Sequence, residues 1–442
     1  MKQGLANTIF AGLLLSLQIV IVFLYGFYNK HVLNSEEIPT LIQQVADYFA
    51  YTMNMHFMLV VGFPLVYSSF QRYRISSIVQ YYWVLCVTVE LYFLWWVFWK
   101  AVLEGAPAKN FVIDPYVLFK GELCAAALMI TVCATMGRAN NLQLLIITMI
   151  GTGLYTLIED YFTSSMFLRV SDIGGAITVH TFGSLYGVFC ALALTKKNVS
   201  YSRAALPSSF LHQFPSLLGT LILFAYWPAF NTGASETYSD SQKGHVNTYF
   251  AQIGSVLASY AVSILINGEG KFNLIHIFYS TISGGVIMGC NSDILDKSYV
   301  AFILGAGIGI ITTFAFKFFS PISERAALRD YSVPLIFHAI PGICGGLLSA
   351  IFIKKYTTRN PGNPVAATFI AIGFGVFGGL IVGLICKAFS SDESGENYHG
   401  EYSIAVEEVP ETVDVYGLPM MTHNRLYTEA QPAPEEQKIA PQ

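Results

Sequence analysis

The stretch Asp172-Ile-Gly-Gly-Ala-Ile-Thr-Val-His180-Thr-Phe-Gly183 decides how this chain is read, because it has a counterpart at Asp330-Tyr-Ser-Val-Pro-Leu-Ile-Phe-His338-Ala-Ile-Pro-Gly342. In each stretch an aspartate stands eight residues before a histidine set in apolar sequence, and a glycine (Gly187, Gly345) follows seven residues after it. Ionisable side chains are expensive to bury in a membrane core and mark pathways there. Two placed alike in two halves of one chain point to an internal repeat with a path between the halves.

The surrounding composition is that of a membrane protein. The 442 residues are 54% hydrophobic and 12% charged, where a soluble chain carries about 25% charged residues; the mean hydropathy is +0.53. Apolar runs long enough to span, about 17–25 residues, recur near 8–27, 50–70, 76–99, 115–136, 142–163, 172–195, 207–230, 247–268, 273–292, 298–319, 331–353 and 366–388. The expected fold is therefore all-α and polytopic, with about twelve transmembrane helices. The first run lacks a small-residue cleavage site and reads as a retained helix rather than a signal peptide.

The chain changes character after Phe389, so two regions are expected: a membrane domain over 1–389 and an acidic tail over 390–442. The tail holds prolines and an excess of acids and cannot bury enough apolar area to fold alone. It is expected to be disordered and to serve, if anything, as a docking segment for cytosolic proteins. Lysines and arginines favour a cytosolic N-terminus and C-terminus, although the loop with Lys354, Lys355 and Arg359 runs against that bias. The sequon Asn198-Val199-Ser200 then falls in the cytosol, unused. The seven cysteines lie in or beside apolar runs without paired spacing, and neither a disulfide framework nor a metal site is expected. No cofactor and no nucleic-acid partner is expected either.

Taken as helix, eight residues place each histidine about 12 Å from its aspartate, near the midplane of a hydrocarbon core about 30 Å thick. With the N-terminus inside, Asp172 marks the outer end of its helix and Asp330 the inner end of the other. That is the pattern of an inverted repeat of five helices per half after one extra N-terminal helix. Asp172 and Asp330 are read as caps that orient these helices. A neutral imidazole offers one donor and one acceptor, so His180 and His338 can share a hydrogen bond and still contact a small polar solute. NH4+ faces a large desolvation cost on such a path and neutral NH3 does not. Glu159 and Asp160 read either as acids that concentrate cations at an outer mouth or as a solvated interfacial pair, and His56, His212 and His276 read as hydrogen-bonded packing residues.

These motifs resemble the Rh glycoprotein branch of the ammonium transporter (Amt/Rh) family. Asp172-Ile-Gly-Gly with Val179-His180-Thr-Phe-Gly183 is similar to the family's Asp-x-Gly-Gly…Ile-His-Thr-Phe-Gly, and His338-Ala-Ile-Pro-Gly342 to its His-Gly-Ile-Pro-Gly. Gly219-Thr-Leu through Trp227-Pro-Ala-Phe230-Asn231 resembles the Rh segment Gly-Thr-Leu…Trp-Pro-Ser-Phe-Asn. The resemblance implies a homotrimer with one pore per subunit, in the plasma membrane, conducting ammonia or ammonium, with methylamine and CO2 as further candidates. It implies that His180 and His338 are twin pore histidines and that Phe230 is one of two phenylalanines gating the outer mouth. The matching helix end Cys133-Ala-Thr-Met-Gly-Arg138 puts Val132 where the other gate phenylalanine lies. The segment 142–171 lacks the tryptophan that binds ammonium in the Amt branch. Two other classes stay open: an Rh-like trimer subunit that anchors a membrane skeleton or complex and conducts little, and a membrane redox protein using the histidines as haem ligands.

Overall fold

The computed structural model describes residues 3–28, 49–68, 74–105, 113–164, 167–195, 210–235, 237–267, 270–325, 332–356 and 360–390, and every regular element among them is helical. Asp330, the sequon 198–200 and the tail from 391 onward lie outside the described residues, as does the side chain of His212.

Twelve helices occupy the twelve apolar runs. They are α1 (Gln3–Tyr28), α2 (Phe49–Tyr67), α3 (Arg74–Glu104), α4 (Pro115–Thr135), α5 (Asn141–Thr163) and α6 (Ala176–Leu194). The remaining six are α7 (Phe210–Phe230), α8 (Tyr238–Ile266), α9 (Leu274–Val286), α10 (Ser298–Arg325), α11 (Leu335–Ile353) and α12 (Gly362–Lys387). Ten are long and apolar enough to cross a membrane by length and composition, and α7 and the shorter α9 complete the bundle. Helices α4 and α6 are buried on nearly every side, whereas α1, α10 and α12 expose Leu15, Ile19, Ile303, Phe318, Phe369 and Ile381. A helix apolar on its exposed face is at home only in lipid or against a partner.

The two histidine-bearing helices run in opposite directions. Leu335, opening α11, packs on Val188 and Ala191 near the end of α6. Eleven residues later Gly346 lies against Ile177, near the start of α6. Both helices open with a π-helical turn, Ala176–Phe182 and Leu335–Ala339, and each turn carries its histidine. A wide turn of this kind displaces one residue from the ordinary helical register and often marks a functional position. The five helices α2–α6 and the five α7–α11 thus form inverted halves, with α1 and α12 outside them.

Close approach between α4 and α6 depends on glycine. Thr131 Oγ1 of α4 donates to the Gly183 carbonyl at 2.9 Å, and a Cβ on Gly183 would stand 2.5 Å from the Ala127 carbonyl oxygen. Small residues of this sort let backbones meet where no hydrophobic driving force separates helix from lipid. Gly183→Ala is expected to destabilise the protein by about 1–3 kcal/mol through overpacking. Thermal melting of the purified protein checks this, with Gly12→Ala as control, because nothing lies within 4 Å of that Cβ.

Candidate conduction pathway

The α6 and α11 turns bring His180 and His338 together at the centre of the bundle. Their Nδ1 atoms are 3.0 Å apart and their rings lie 5.2 Å apart at 19°. Both side chains are wholly buried. A separation of 3.0 Å between two imidazole nitrogens holds one proton, so one ring donates and the other accepts. His338 Nε2 meets the hydroxyl of Tyr67, at the end of α2, whereas His180 Nε2 has no hydrogen-bond partner among the described residues. The indole of Trp227 stacks on His180 with centroids 5.7 Å apart at 21°, and the Phe230 ring lies 5.8 Å from it.

Asp172 controls where α6 begins. Its Oδ1 accepts from Ile177 N at 3.1 Å, and its Oδ2 accepts from both the backbone N and the Oγ1 of Thr178 at 2.8 Å. The thiol of Cys290 donates to Oδ1 at 2.7 Å, tying the aspartate to the turn after α9. Asp172 therefore performs the work of a cap, but from outside the helix. The residue at the N-cap position is Gly175, held at φ 64°, a conformation that favours glycine. Counting rise from Asp172 overstated the depth. His180 is four residues past Ala176, about 6 Å into the helix.

A cavity of about 580 Å³ opens at this end of α6. Tyr116, Lys120 and Leu123 of α4, Tyr155, Glu159 and Asp160 of α5, and Asp172 and Thr178 line it. Glu159 and Asp160 do not stand as a solvated acid pair. Lys120 Nζ is 2.8 Å from Glu159 Oε1 and 3.9 Å from Asp160 Oδ1, and it sits over the Tyr116 ring at 5.7 Å. Tyr92 donates to the other Glu159 oxygen at 3.3 Å. With Arg169, Asp240 and Asp293 also on the wall, the vestibule has mixed charge. Sequence reasoning missed Lys120, although a lysine inside an apolar run was itself a signal.

The gate assignment needs a correction. Phe230 ends α7 and is fully buried beside His180. Val132 is not its companion at this mouth. Helix α4 enters at the vestibule with Tyr116, Lys120 and Leu123 and runs away from it. Val132 is nine residues beyond Leu123, about 13 Å along the helix, and its neighbour Cys133 lies beside Tyr81 of α3. Trp227 was also passed over, although it sits in the quoted Trp-Pro-Ala-Phe-Asn segment. His56 proves to be more than a packing residue, since its Nδ1 pairs with buried Glu122 of α4. His276 is buried and its Nδ1 bonds Ser263 Oγ at 2.8 Å.

A sequence model described as the Ammonium Transporter Family matches residues 8–390. The chain belongs to that family. Its relatives include the ammonium transporter Rh type C of Pan troglodytes, 28% identical over 423 residues that cover 87% of this chain and 86% of that protein. Another is the ammonium transporter Rh type B of Rattus norvegicus, 29% identical over 331 residues, 74% of this chain and 71% of that one. Among solved structures, Nitrosomonas europaea Rh50 superposes with a TM-score of 0.70 at 24% identity, covering 84% of this chain and 94% of that one. Candida albicans Mep2 superposes with a TM-score of 0.65 at 18% identity, covering 76% and 82%. The inverted twelve-helix bundle is thus the fold of ammonium transporter proteins, and the named relatives lie on the Rh side of the family.

Three variants of this transporter test the vestibule. Asp172→Ala is expected to lower stability by about 0.5–2 kcal/mol, the cost of a lost cap, and to reduce folded yield. Asp172→Asn still accepts from Ile177 N but sets an amide NH2 against Thr178 N, so it is expected to melt between the Ala variant and wild type. Lys120→Gln removes the cation that faces Glu159 and Asp160, so methylammonium uptake is expected to half-saturate at a lower concentration. Raising the ionic strength is expected to shrink that difference only in part, because these side chains are largely buried and weakly screened.

Proposed function

We propose that this protein is a channel or facilitator that passes ammonia across a membrane by way of His180 and His338. The observation that carries the reading is the buried imidazole pair, hydrogen-bonded Nδ1 to Nδ1 at 3.0 Å, with His180 Nε2 left without a partner among the described residues below the vestibule. A buried polar atom left unpaired costs about 1–3 kcal/mol, and a small polar solute can supply the missing partner. The acids of the vestibule attract ammonium, and the proton is shed before the aromatic stretch at Trp227 and Phe230, where an ion loses its hydration. Neutral NH3 then passes the imidazoles by exchanging hydrogen bonds.

Methylamine and CO2 are further candidate solutes, since both are small and can accept a hydrogen bond. A homotrimer with one pathway per subunit, a plasma-membrane location and cytosolic termini belong to the same reading. Asp330 is proposed as the counterpart of Asp172 at the opposite mouth, and Phe230 as the gate above His180. The residues 390–442 are proposed as a cytosolic tail separate from the membrane domain. Haem ligation fits the histidines poorly. Their Nδ1 atoms face one another at hydrogen-bond distance, with no room for iron, and Tyr67 occupies His338 Nε2. An anchoring role alone leaves the unpartnered imidazole nitrogen unexplained.

Proteoliposomes given an ammonium gradient are expected to alkalinise inside. Absence of both a pH change and a current for the wild-type protein overturns the reading. His180→Ala and His338→Ala are each expected to cut this flux roughly fivefold or more, the scale of one lost hydrogen bond, while the oligomer keeps its elution volume. Flux at the wild-type rate in the double variant removes the histidines from the path.

A further inference from the structure

Helix α2 presents one face to both histidines. Phe63 and Tyr67, four residues apart, share that face. Phe63 stacks on Trp227 with centroids 6.0 Å apart at 28°, and Trp227 in turn stacks on His180. Tyr67 meets His338 directly, hydroxyl to Nε2, and its ring is stacked between those of Tyr81 and Tyr279 at 5.6 and 6.3 Å. All of these rings are buried. The π-helical turn Met58–Gly62 and Pro64 set the register of this face, and the helix stops immediately after Tyr67, where Ser68 N and Oγ both bond the Leu65 carbonyl.

The hydroxyl has consequences for the protons of the pair. Among the described residues, His338 Nε2 is the only hydrogen-bond partner of Tyr67 Oη. If the phenol merely accepted from His338, its own proton would be buried without a partner. An imidazole nitrogen is also a much better acceptor than a phenol oxygen. The phenol therefore donates, and His338 Nε2 accepts. Neutral His338 then carries its proton on Nδ1 and donates it to His180 Nδ1, and neutral His180 carries its proton on Nε2. The nitrogen left facing the path is an N–H donor.

We propose that Tyr67 is a selectivity-determining positioning residue: its hydroxyl sets the proton register of the histidine pair, so that His180 offers the path a donor and no acceptor. This inference rests on the reading of the histidines as the ammonia path. It explains discrimination without any fixed charge. NH3 has a lone pair that takes the His180 Nε2–H, as do methylamine and the oxygens of CO2. NH4+ has only donors and finds nothing to bind. Without the Tyr67 hydroxyl the register is free to reverse, His180 Nε2 becomes an acceptor in part of the population, and the cation gains a foothold.

The test uses full-length protein labelled with 15N-histidine in lipid bilayers, read by solid-state NMR, together with proteoliposome flux and current. In the wild type His338 Nε2 and His180 Nδ1 are expected to be unprotonated, and His338 Nδ1 and His180 Nε2 protonated. In Tyr67→Phe, which keeps the ring stack, both registers are expected, and the ratio of ammonium current to ammonia flux is expected to rise roughly fivefold, the worth of one ordinary hydrogen bond. A wild-type spectrum with His338 Nε2 protonated overturns the proposal even if the variant does not fold. So does a Tyr67→Phe protein with the wild-type spectrum and ratio. A wild-type protein that shows the expected register but moves no ammonia overturns the conduction reading and leaves the role of Tyr67 in the register standing.

Discussion

The rest of this structure depends on one hydrogen bond, between His180 Nδ1 and His338 Nδ1. Two imidazoles from different halves of the chain have to meet at 3.0 Å in the middle of a bundle where water is not available to satisfy them. A net hydrogen bond is worth only about 1 kcal/mol, while each buried polar atom left alone costs about 1–3 kcal/mol. The pair is therefore held by geometry more than by its own energy. The two π-helical turns aim the rings, and Gly183 and Gly187 bring α6 onto α4. Asp172 and Cys290 fix the point at which α6 starts.

Around this pair the protein separates two kinds of surface. On one side is a vestibule where charges of both signs are exposed to a cavity of about 580 Å³. On the other is a column of rings, Trp227 and Phe63 beside His180 and Tyr67, Tyr81 and Tyr279 beside His338. Charges near the mouth are kept by direct pairing, Lys120 against Glu159 and Asp160. Charges within the column would lose their hydration with nothing to replace it. Lys120 marks the boundary. It is the last cation before the rings, and it is neutralised where it stands by Glu159 and Asp160.

Much of the architecture was legible in the chain. Each of the twelve apolar runs is a helix, because a bilayer leaves the backbone no alternative to internal hydrogen bonding. The matching frames of His180 and His338 disclosed the repeat and singled out the two side chains that meet. Their surroundings were less legible. The eight residues from Asp172 to His180 were counted as helix, yet four of them form a turn that only Gly175 in a left-handed conformation and the contact with Cys290 define. Val132 was set at the vestibule by a motif match that carried no information about which end of α4 faces the cavity.

What the sequence by itself determined is what depends on local chemistry: where the chain is apolar enough to span, where it repeats, and where a titratable group interrupts an apolar run. What only the tertiary structure decided is which groups from distant runs share a space. Lys120 and Glu159 are 39 residues apart, and Tyr67 and His338 are 271 apart. No local propensity or spacing encodes such pairs. They arise from the angle and depth at which helices pack, and those follow from close backbone contacts at Gly183, Gly187 and Gly342 that act on the bundle as a whole. The charge balance of the vestibule and the proton held between the histidines are for that reason properties of the fold.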